Sequence, residues 1–334
     1  MTNNQEGKQN SMYALDRESC GAVVNRAAKW GLSYCQRNGI HYLITPSSGG
    51  RDSAITLGIN QRVCQLATRE KYPLTSVGVT LPCHTPEKIT RLGQLAIRTF
   101  GAEELGPLDL SVDFDELMEL LFGENFYGDK LDQEIKAIMC KKNDQAGLAH
   151  WKGNLQVARG NIKARLRMIA AYHIAKMFGS GVVVGTDNLS EFWMGFWTLH
   201  GDVGDIGYIQ NLLKGLELES IARYLGVPKK IMAEEPSDGL GVKKGGDAAQ
   251  LGADYPTLDV MMLDLIQQGF NLDGHKKQLD NLPQPRIQSA DPELILSLAA
   301  RAVGNSFKRR GPTYPSRKQL GLLPLEVIKI CPFP

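Results

Sequence analysis

The residues best suited to chemistry stand in a short run rich in serine and glycine, Ser47-Ser48-Gly49-Gly50-Arg51-Asp52-Ser53. Glycines allow close approach to an anion, and the backbone N–H groups at the start of a helix, aided by the helix dipole, can bind phosphate. Asp52 adds a carboxylate, which can stand beside phosphates only if a cation lies between them. The run therefore predicts a phosphate site that uses Mg²⁺, the cation that combines one or two carboxylates with phosphate oxygens.

Two other interpretations of this run can be weighed from the residues alone. The run is not a Walker A loop, because the Gly-Lys-Ser/Thr ending of that motif is missing. On spacing alone it could be a tight turn capped by serine and aspartate, without any ligand. The elements on either side of the run bear on this choice.

Those elements are a short apolar strand, predicted at residues 41–45, and a helix predicted at residues 52–69. Further strands are predicted at residues 75–81, 108–112 and 181–185, and further helices at residues 16–38, 87–100, 161–178, 215–225 and 292–303. Strands that alternate with helices predict an α/β fold, a doubly wound, Rossmann-like parallel sheet with helices on both faces. Residues 237–252 are rich in glycine and predict a loop. Residues 113–160 show only weak periodicity.

Two of the predicted helices carry apolar residues at the spacing of a single buried face. In the helix at residues 16–38 this stripe consists of Val23, Ala27, Trp30 and Tyr34. In the helix at residues 161–178 it consists of Ile162, Leu166, Ile169, His173 and Met177. The second stripe places His173 in the core rather than in a ligand site.

Composition excludes several classes of protein. The 334 residues include 38 basic and 36 acidic side chains, a net charge of +2 that gives no general attraction to nucleic acid or membrane. The polar first ten residues do not resemble a signal peptide, and no apolar run approaches the roughly 18 residues of a membrane span. The cysteines form no Cys-x-x-Cys pair, so a structural zinc site has no support. A chain of this length does not need disulfides to hold a core, so we expect reduced thiols in a cytoplasmic protein. The cysteines are Cys20, Cys35, Cys64, Cys83, Cys140 and Cys331.

The run at residues 48–53 resembles the Ser-Gly-Gly-x-Asp-Ser loop of the ATP pyrophosphatases, which cleave ATP between its α and β phosphates. Three further segments resemble one branch of that group, the NAD synthetases. Residues 161–168 match Asn-x-x-Ala-Arg-x-Arg-Met, and residues 185–191 match Gly-Thr-x-x-x-x-Glu. Residues 198–202, followed by Asp205 and Lys214, resemble the Thr-Lys-x-Gly-Asp, Asp and Lys series. The similarity runs from about residue 20 to residue 310.

The resemblance implies a role for each matching residue. The loop from Ser47 to Ser53 would hold the ATP phosphates, and further ATP contacts would come from Thr186, Lys214 and Ser237. Asp52 and Glu191 would bind Mg²⁺. The residues expected to bind deamido-NAD are Asn161, Arg165, Asp205 and Lys308. The residues expected to act in catalysis are Asp52, Lys214 and Asp202, of which Asp202 is the candidate to receive a proton from ammonia.

The resemblance also implies a reaction and an organisation. Deamido-NAD, ATP and ammonia would give NAD, AMP and pyrophosphate through an acyl adenylate. The chain would form a homodimer with substrate at the subunit interface, and no segment is left over for a glutaminase domain. A flexible tail at residues 1–15 would precede a single ATP pyrophosphatase-type domain at residues 16–334, with an insertion near residues 113–160 and a C-terminal helical extension.

The sequence departs from the family pattern at four positions. Leu199 replaces a substrate-binding lysine, Phe307 replaces a histidine, Thr80 replaces an arginine near ATP, and Ala248 replaces the glutamate of an Asp-Glu pair. The changes at residues 199 and 307 concern the dinucleotide substrate directly. They leave open a related ATP-dependent amide ligase that acts on another carboxylate.

A non-catalytic paralogue that only binds nucleotide is a second alternative. Retention of Arg165 and Asp205 favours deamido-NAD as the substrate over another carboxylate. Retention of Asp52 and Glu191 favours an active enzyme over a silent paralogue.

Overall fold

A computed structural model of the chain describes residues 14–123, 128–237, 239, 245–286, 291–311, 315 and 319. The predicted tail at residues 1–15 lies almost entirely outside the described residues, as does Cys331. Within the described residues five parallel strands form one sheet in the order β3-β2-β1-β4-β5. The strands are β1 Tyr42–Pro46, β2 Thr75–Val79, β3 Glu103–Leu105, β4 Gly181–Gly185 and β5 Ile206–Gly207.

Helices follow most of the strands. Those of the described residues are α1 Arg17–Asn38, α2 Arg51–Arg69, α3 Glu87–Thr99, α4 Ser111–Phe122, α5 Gly128–Lys141, α6 Gln145–Ala149, α7 Trp151–Met177, α8 Leu189–Met194, α9 Leu218–Leu225, α10 Lys229–Met232, α11 Gly246–Leu251, α12 Tyr255–Gln267, α13 Pro292–Gly304 and α14 Ser306–Arg309. A 3₁₀ helix spans Lys276–Asn281.

The sheet is buried on both faces, as an all-parallel sheet requires. Successive side chains of a strand point to opposite faces. Leu43 of β1 packs in one cluster with residues of α1, α2, α3 and α9. Its neighbour Ile44 packs in a second cluster with residues of α7, among them Met168 and Ile174. These two layers confirm the predicted doubly wound α/β architecture.

The order of the strands reverses between β1 and β4, which pair in parallel with Tyr42 opposite Gly181. From β1 the chain passes outward through β2 to β3, then returns to the other side of β1 for β4 and β5. Open α/β sheets bind ligands at such a switch point, outside the carboxyl ends of the strands. The serine- and glycine-rich run follows β1, and the segment that contains Glu191 follows β4. Both therefore begin at this crevice.

The chain forms two compact units. The first contains the described residues up to Glu191 together with Trp197–Val260, and it holds the whole sheet. The second contains Phe192–Phe196 and the described residues from Met261 onward. Its principal helix is α13, where Asp291 caps the first turn by accepting the Glu293 N–H at 3.0 Å.

Several sequence predictions about local structure are wrong. The edge strand lies at residues 103–105 rather than 108–112, where Ser111 already begins α4. For residues 113–160 the weak periodicity supported no prediction, and helices occupy much of their described length. The glycine-rich residues 237–252 include the short helix α11, while residues 238 and 240–244 lie outside the described residues.

The two predicted helix stripes match the packed faces only in part: Val23, Ala27 and Tyr34 of α1 pack against the core, and Ile162 of α7 is buried. In α1 the fully buried positions include Val24, Ala28 and Leu32, whereas Trp30 is 46% exposed. In α7 His173, Ile169 and Met177 are exposed, so the expected core histidine is wrong. The buried positions of α7 are Gly160, Ile162, Ala164, Met168, Ala171, Ile174 and Ala175. Small residues dominate this face because α7 packs closely on the sheet, which a search for large apolar residues does not detect.

Two other expectations concern the cysteines and the membrane. The described cysteines Cys20, Cys35, Cys64, Cys83 and Cys140 are free thiols. In the part of the chain that the structure describes, no helix is both long and apolar enough to cross a membrane.

Candidate active site

The loop between β1 and α2 has the geometry of an anion site. Gly49 has a φ of +83°, and a side chain there would meet the Ile89 carbonyl oxygen at 2.4 Å, so only glycine fits. Gly50 is the N-cap of α2 and provides no side-chain cap for the helix. The N–H groups of the first turn therefore remain available to an anion.

Serine hydroxyls hold this loop in shape. The Ser48 N–H donates to Ser53 Oγ at 3.3 Å, the two hydroxyl oxygens lie 3.1 Å apart, and Ser53 Oγ donates to the Gly50 carbonyl at 3.1 Å. The Ser47 hydroxyl donates to the Gly93 carbonyl at 3.0 Å and is buried. Ser47 thus supports the loop from beneath, whereas Ser48 and Ser53 lie on the loop itself.

Asn188, which follows β4, connects this loop to the opposite side of the crevice. Its Nδ2 donates to Asp52 Oδ2 at 3.2 Å, and its Oδ1 accepts the Glu191 N–H at 3.1 Å. Asn188 is fully buried. One amide therefore fixes the positions of the two carboxylate-bearing segments, both predicted to bind metal.

Lys214 lies between those carboxylates. Its Nζ is 2.7 Å from Glu191 Oε1, 3.0 Å from Asp52 Oδ2 and 3.6 Å from Asp247 Oδ2. The Lys214 side chain is only 8% exposed. One ammonium therefore faces three carboxylates, and this cluster, the Lys214 site, carries an excess of negative charge.

Burial and charge act in opposite directions in the Lys214 site. Burial alone lowers the pKa of Lys214, but Asp52, Glu191 and Asp247 outweigh this effect and raise it. Burial raises the pKa of Glu191 even though Lys214 lowers it. A low-dielectric pocket with surplus carboxylates favours an added cation.

The carboxylates of the Lys214 site suit a cation that also binds phosphate. Asp52 Oδ1 is buried and has no hydrogen-bond partner among the described residues. No group of three acidic, histidine or cysteine side chains in the described ranges is arranged to hold a metal by itself. Asp52 and Glu191 could supply two oxygens to Mg²⁺, whose remaining ligands would be phosphate oxygens and water.

Tyr255, at the start of α12, encloses the Lys214 site. Its hydroxyl lies 2.9 Å from Asp247 Oδ2 and 3.2 Å from Glu191 Oε1. Its ring centroid is 4.3 Å from the Lys214 Nζ, within the range of a cation–π contact. Burial, reinforced by the neighbouring carboxylates, raises the pKa of Tyr255 well above its usual value.

Asp202 and the residues of the Lys214 site both interact electrostatically with Asp187. Asp202 Oδ2 accepts the Thr198 N–H at 2.5 Å. Burial raises the pKa of Asp187 well above its usual value, and the charges of Glu191, Asp202 and Asp52 raise it further. The site therefore holds a carboxyl group, Asp187, that our sequence predictions omitted.

Thr186, Ser237 and Arg51 are the other predicted ATP contacts. Thr186 follows β4 directly and is half-buried. Ser237 is exposed, and its Oγ accepts the Gly239 N–H at 3.2 Å. Arg51 forms an ion pair with Glu219 at 3.8 Å, which directs its side chain toward α9.

The predicted deamido-NAD residues of the first unit hold contacts with other protein groups. Asn161 Oδ1 accepts the Thr198 hydroxyl at 2.7 Å. The Arg165 guanidinium donates to the Leu199 carbonyl at 3.3 Å. Asp205 Oδ2 accepts the Val183 N–H at 2.8 Å. Asn161 and Arg165 thus support the segment that precedes Asp202.

In the second unit Lys308 Nζ donates to the Gly195 carbonyl at 2.9 Å. Arg309 lies between two other basic residues, Lys308 and Arg310, yet its side chain is only 2% exposed. Its guanidinium donates to the carbonyls of Trp193 and Ala302 at 2.8 and 2.9 Å.

The sequence predictions missed four contributors to the Lys214 site. They are Asn188, Asp247, Tyr255 and Asp187. Asn188 and Asp187 lie inside a recognised motif and could have been found there. Asp247 was noted only as part of an altered pair, and no local pattern marks Tyr255.

The fold and the site together define a class. A doubly wound parallel sheet that carries a Ser-Gly-Gly-x-Asp-Ser loop at its switch point is an adenine nucleotide alpha hydrolase-like fold. The family model described as NAD synthase matches residues 23–311, and the chain belongs to that family.

Individual relatives agree with this assignment. The chain is 38% identical over 294 residues to the NH(3)-dependent NAD(+) synthetase of Methanopyrus kandleri, covering 86% of this chain and 88% of that protein. It is 30% identical to the protein of the same name from Methanocaldococcus jannaschii, covering 75% and 83%. The solved structure of the NMN synthetase from Francisella tularensis shares the fold, with a TM-score of 0.61, 21% identity, and coverage of 89% and 98%.

Proposed function

We infer that this protein is an ammonia-dependent NAD synthetase, a ligase that forms a carbon–nitrogen bond. It converts deamido-NAD, ATP and ammonia into NAD, AMP and pyrophosphate. The observation that carries this inference is the Lys214 site, where Asp52 of the phosphate loop, Glu191 and Lys214 meet at the carboxyl ends of β1 and β4. Membership of the NAD synthase family supplies the identity of the substrates.

Activation of the carboxylate comes first. A carboxylate is a poor acyl donor because its leaving group would be an oxide. Attack of its oxygen on the α-phosphorus of ATP forms an acyl adenylate and releases pyrophosphate, so that AMP becomes the leaving group. In this step the loop from Ser48 to Ser53 holds phosphate oxygens, and Lys214 offsets the charge on the departing pyrophosphate.

Asp52 and Glu191 are the residues we propose as Mg²⁺ ligands. When bound, Mg²⁺ supplies Lewis-acid neutralisation of phosphate charge. The unpartnered Asp52 Oδ1 and the excess of carboxylates around one ammonium support this assignment.

Amide formation is the second step. Ammonia attacks the acyl carbon of the adenylate, the bond from that carbon to the AMP oxygen breaks, and one proton must leave the nitrogen. We propose that Asp202 accepts this proton, because the Thr198 N–H holds its carboxylate in a fixed position. The charge of Asp202 also contributes to the raised pKa of the buried Asp187.

Deamido-NAD is the proposed substrate, with Asn161, Arg165, Asp205 and Lys308 as proposed contacts. Leu199 replaces a family lysine, but its own carbonyl accepts the Arg165 guanidinium, so a positive charge remains beside residue 199. The Francisella tularensis neighbour is named for NMN, a mononucleotide. Nicotinic acid mononucleotide is therefore the second substrate to test.

Product analysis tests the proposal. Purified protein is incubated with ATP, Mg²⁺ and ammonium, together with either deamido-NAD or nicotinic acid mononucleotide. We expect NAD and AMP in equal amounts with deamido-NAD. Asp52→Asn should abolish both products, because it removes a metal-binding charge while preserving the shape of the side chain.

Asp16→Asn is the matched control for this experiment. Asp16 also lies at the start of a helix, where its side chain caps α1 by accepting the Ser19 N–H at 2.7 Å. An asparagine still caps a helix, so this variant should keep full activity. Product from the mononucleotide alone would assign the alternative substrate. Retained ATP binding without any AMP would identify a non-catalytic paralogue.

We also propose a homodimer. On α7 the apolar side chains of Ile169 and Met177 are 66% and 74% exposed, and Tyr172 beside them is 40% exposed. Exposed apolar side chains grouped on one helix are typical of a protein interface. Sedimentation of the wild type should give a dimer, and Ile169→Glu should give a monomer. A wild-type monomer would contradict the proposal.

Two further expectations remain proposals. The chain acts as one ATP pyrophosphatase-type catalytic domain with a C-terminal helical extension, because the family model runs through both compact units. Its location is cytoplasmic, in keeping with the free thiols of the described residues.

A further inference from the structure

The first turn of α12 lies directly against the segment that contains Lys214. A side chain at Gly215 would meet the Pro256 backbone nitrogen at 2.3 Å and the Tyr255 carbonyl carbon at 2.4 Å. Two backbone segments can approach this closely because residue 215 has no Cβ. The backbone after Lys214 and the backbone at the start of α12 are therefore in direct contact.

Side chains also hold the backbone on either side of Lys214. The three consecutive N–H groups of residues 213 to 215 donate to Glu217 Oε2, Ser190 Oγ and Asp259 Oδ2, each at 2.8 Å. These acceptors come from three separate parts of the chain. A backbone held in this way fixes the point from which the Lys214 side chain extends.

Tyr255 and Asp259 are four residues apart, so they share one face of α12. Asp259 is fully buried and accepts the Gly215 N–H, while Tyr255 is 4% exposed and contacts the side chain of Lys214. The same tyrosine hydroxyl lies within hydrogen-bond distance of Glu191 and Asp247. This single proton between two carboxylates reduces their repulsion and restricts the direction of the Glu191 carboxylate.

We propose that Tyr255 is a positioning residue for divalent-cation binding, which orients the Glu191 carboxylate and holds Lys214 beside it while Asp259 fixes the Lys214 backbone. The proposal rests on the assignment of Glu191 as a metal ligand in the proposed function. Partners that orient a ligating carboxylate commonly contribute about 10- to 100-fold to metal affinity or activity. The Tyr255 hydroxyl acts through Glu191 and need not touch the substrate.

The test measures cation binding without turnover. Mn²⁺ binding to the full chain is followed by electron paramagnetic resonance in the presence of a non-hydrolysable ATP analogue, well below the melting midpoint of each protein. Tyr255→Phe removes the hydroxyl but keeps the ring that faces Lys214. We expect the Mn²⁺ dissociation constant to rise about tenfold in this variant.

Tyr72→Phe is the matched control. The Tyr72 hydroxyl also makes two hydrogen bonds, to the carbonyls of Cys35 at 3.0 Å and Ile40 at 2.7 Å, and has no contact with the Lys214 site. It should bind Mn²⁺ like the wild type, whatever its melting temperature. Steady-state kinetics should show a matching rise in the Mg²⁺ concentration for half-maximal rate in Tyr255→Phe alone.

Three outcomes would overturn the proposal. Unchanged Mn²⁺ affinity in Tyr255→Phe would show that the hydroxyl orients nothing that binds the cation. Equal weakening in both variants would reveal a general effect of losing a buried hydroxyl. If neither the wild type nor either variant binds Mn²⁺, the proposed metal site does not exist. Normal Mn²⁺ binding without NAD formation would instead contradict only the proposed substrate.

Discussion

Lys214 and Arg309 are both cationic side chains withdrawn from solvent, but their partners differ. Lys214 in the first unit is 8% exposed and faces three carboxylates. Arg309 in the second unit is 2% exposed and donates mainly to backbone carbonyls, with Asp273 as its carboxylate partner at 3.0 Å. Asp273 is 46% exposed, so solvent screens much of that ion pair.

We therefore interpret the Lys214 site as a candidate binding site and the contacts of Arg309 as structural. The guanidinium of Arg309 donates to backbone carbonyls, and Asp273, its carboxylate partner among the described residues, balances a single charge. Around Lys214 the carboxylates outnumber the ammonium, and a buried surplus of negative charge is costly until another cation arrives. An excess of charge, rather than burial itself, therefore marks Lys214 as the candidate for ligand binding.

Replacement of Lys214 gives the largest expected effect. In Lys214→Met the rate of AMP formation should fall about 100- to 1000-fold, because a preorganised positive charge is lost where phosphate charge develops. Without Mg²⁺ the melting temperature should also fall, since three carboxylates lose their counterion. Added Mg²⁺ should restore much of that stability. If Lys214→Met melts at the same temperature as the wild type without Mg²⁺, the Lys214 site does not carry a surplus of negative charge.

Replacement of Arg309 should reduce stability without a specific effect on the cation site. Arg309→Met should lower the free energy of unfolding by about 3 kcal/mol, because several buried carbonyls lose their donor. Denaturant unfolding measures this loss, and Mg²⁺ should not reverse it. The neighbouring Arg310→Met is the control, since Arg310 is exposed and makes one hydrogen bond, to the Asp273 carbonyl. Rescue of Arg309→Met by Mg²⁺ would erase the distinction from Lys214.

Replacing the carboxylate partners, Glu191 of Lys214 and Asp273 of Arg309, should give smaller effects. Glu191→Gln should raise the Mg²⁺ concentration for half-maximal activity by about tenfold, because a proposed ligand loses its charge. Asp273→Asn should leave that concentration unchanged and alter stability by no more than about 1 kcal/mol. Initial rates measured over a range of Mg²⁺ concentrations test both. Equal responses of the two variants would refute the assignment of Glu191.

The pH dependence of stability should give the smallest effect. Burial, opposed by nearby Ser190 and the Gly215 N–H, raises the pKa of Asp259 to about 7. Between its unfolded pKa of about 4 and this value, the folded chain holds a proton that the unfolded chain releases. The contribution of Asp259 to stability therefore falls as pH rises through this range.

Asp259→Asn tests this expectation, because asparagine has no such proton to lose. The melting temperature of the wild type relative to Asp259→Asn should fall by roughly 3 °C between pH 5 and pH 8. The carbonyls around Arg309 do not titrate, so Arg309→Met should show no comparable change relative to the wild type. A constant difference between wild type and Asp259→Asn would indicate an ordinary carboxyl group.

The elements near the site could be predicted because their signals are local. Residues 42–46, 75–79 and 181–185 are short apolar runs followed by polar segments, and the structure confirms strands there. Predictions of the packing face were poorer. On α7 small residues face the sheet, whereas the large apolar residues Ile169 and Met177 are exposed. A prediction based on large apolar side chains therefore placed these two residues on the buried face.

From the sequence alone we predicted a phosphate-binding loop at residues 48–53, metal binding by Glu191, a role for Lys214 beside ATP, and the family of the chain, which the family model confirms. The tertiary structure then showed that Asp247 and Tyr255 lie beside these residues. Both lie far from Asp52 along the chain, and no local pattern marks their position. The same holds for Arg309, which lies among basic residues that suggest a solvated segment. Burial and charge balance depend on contacts between distant segments, so they appear only once the chain has folded.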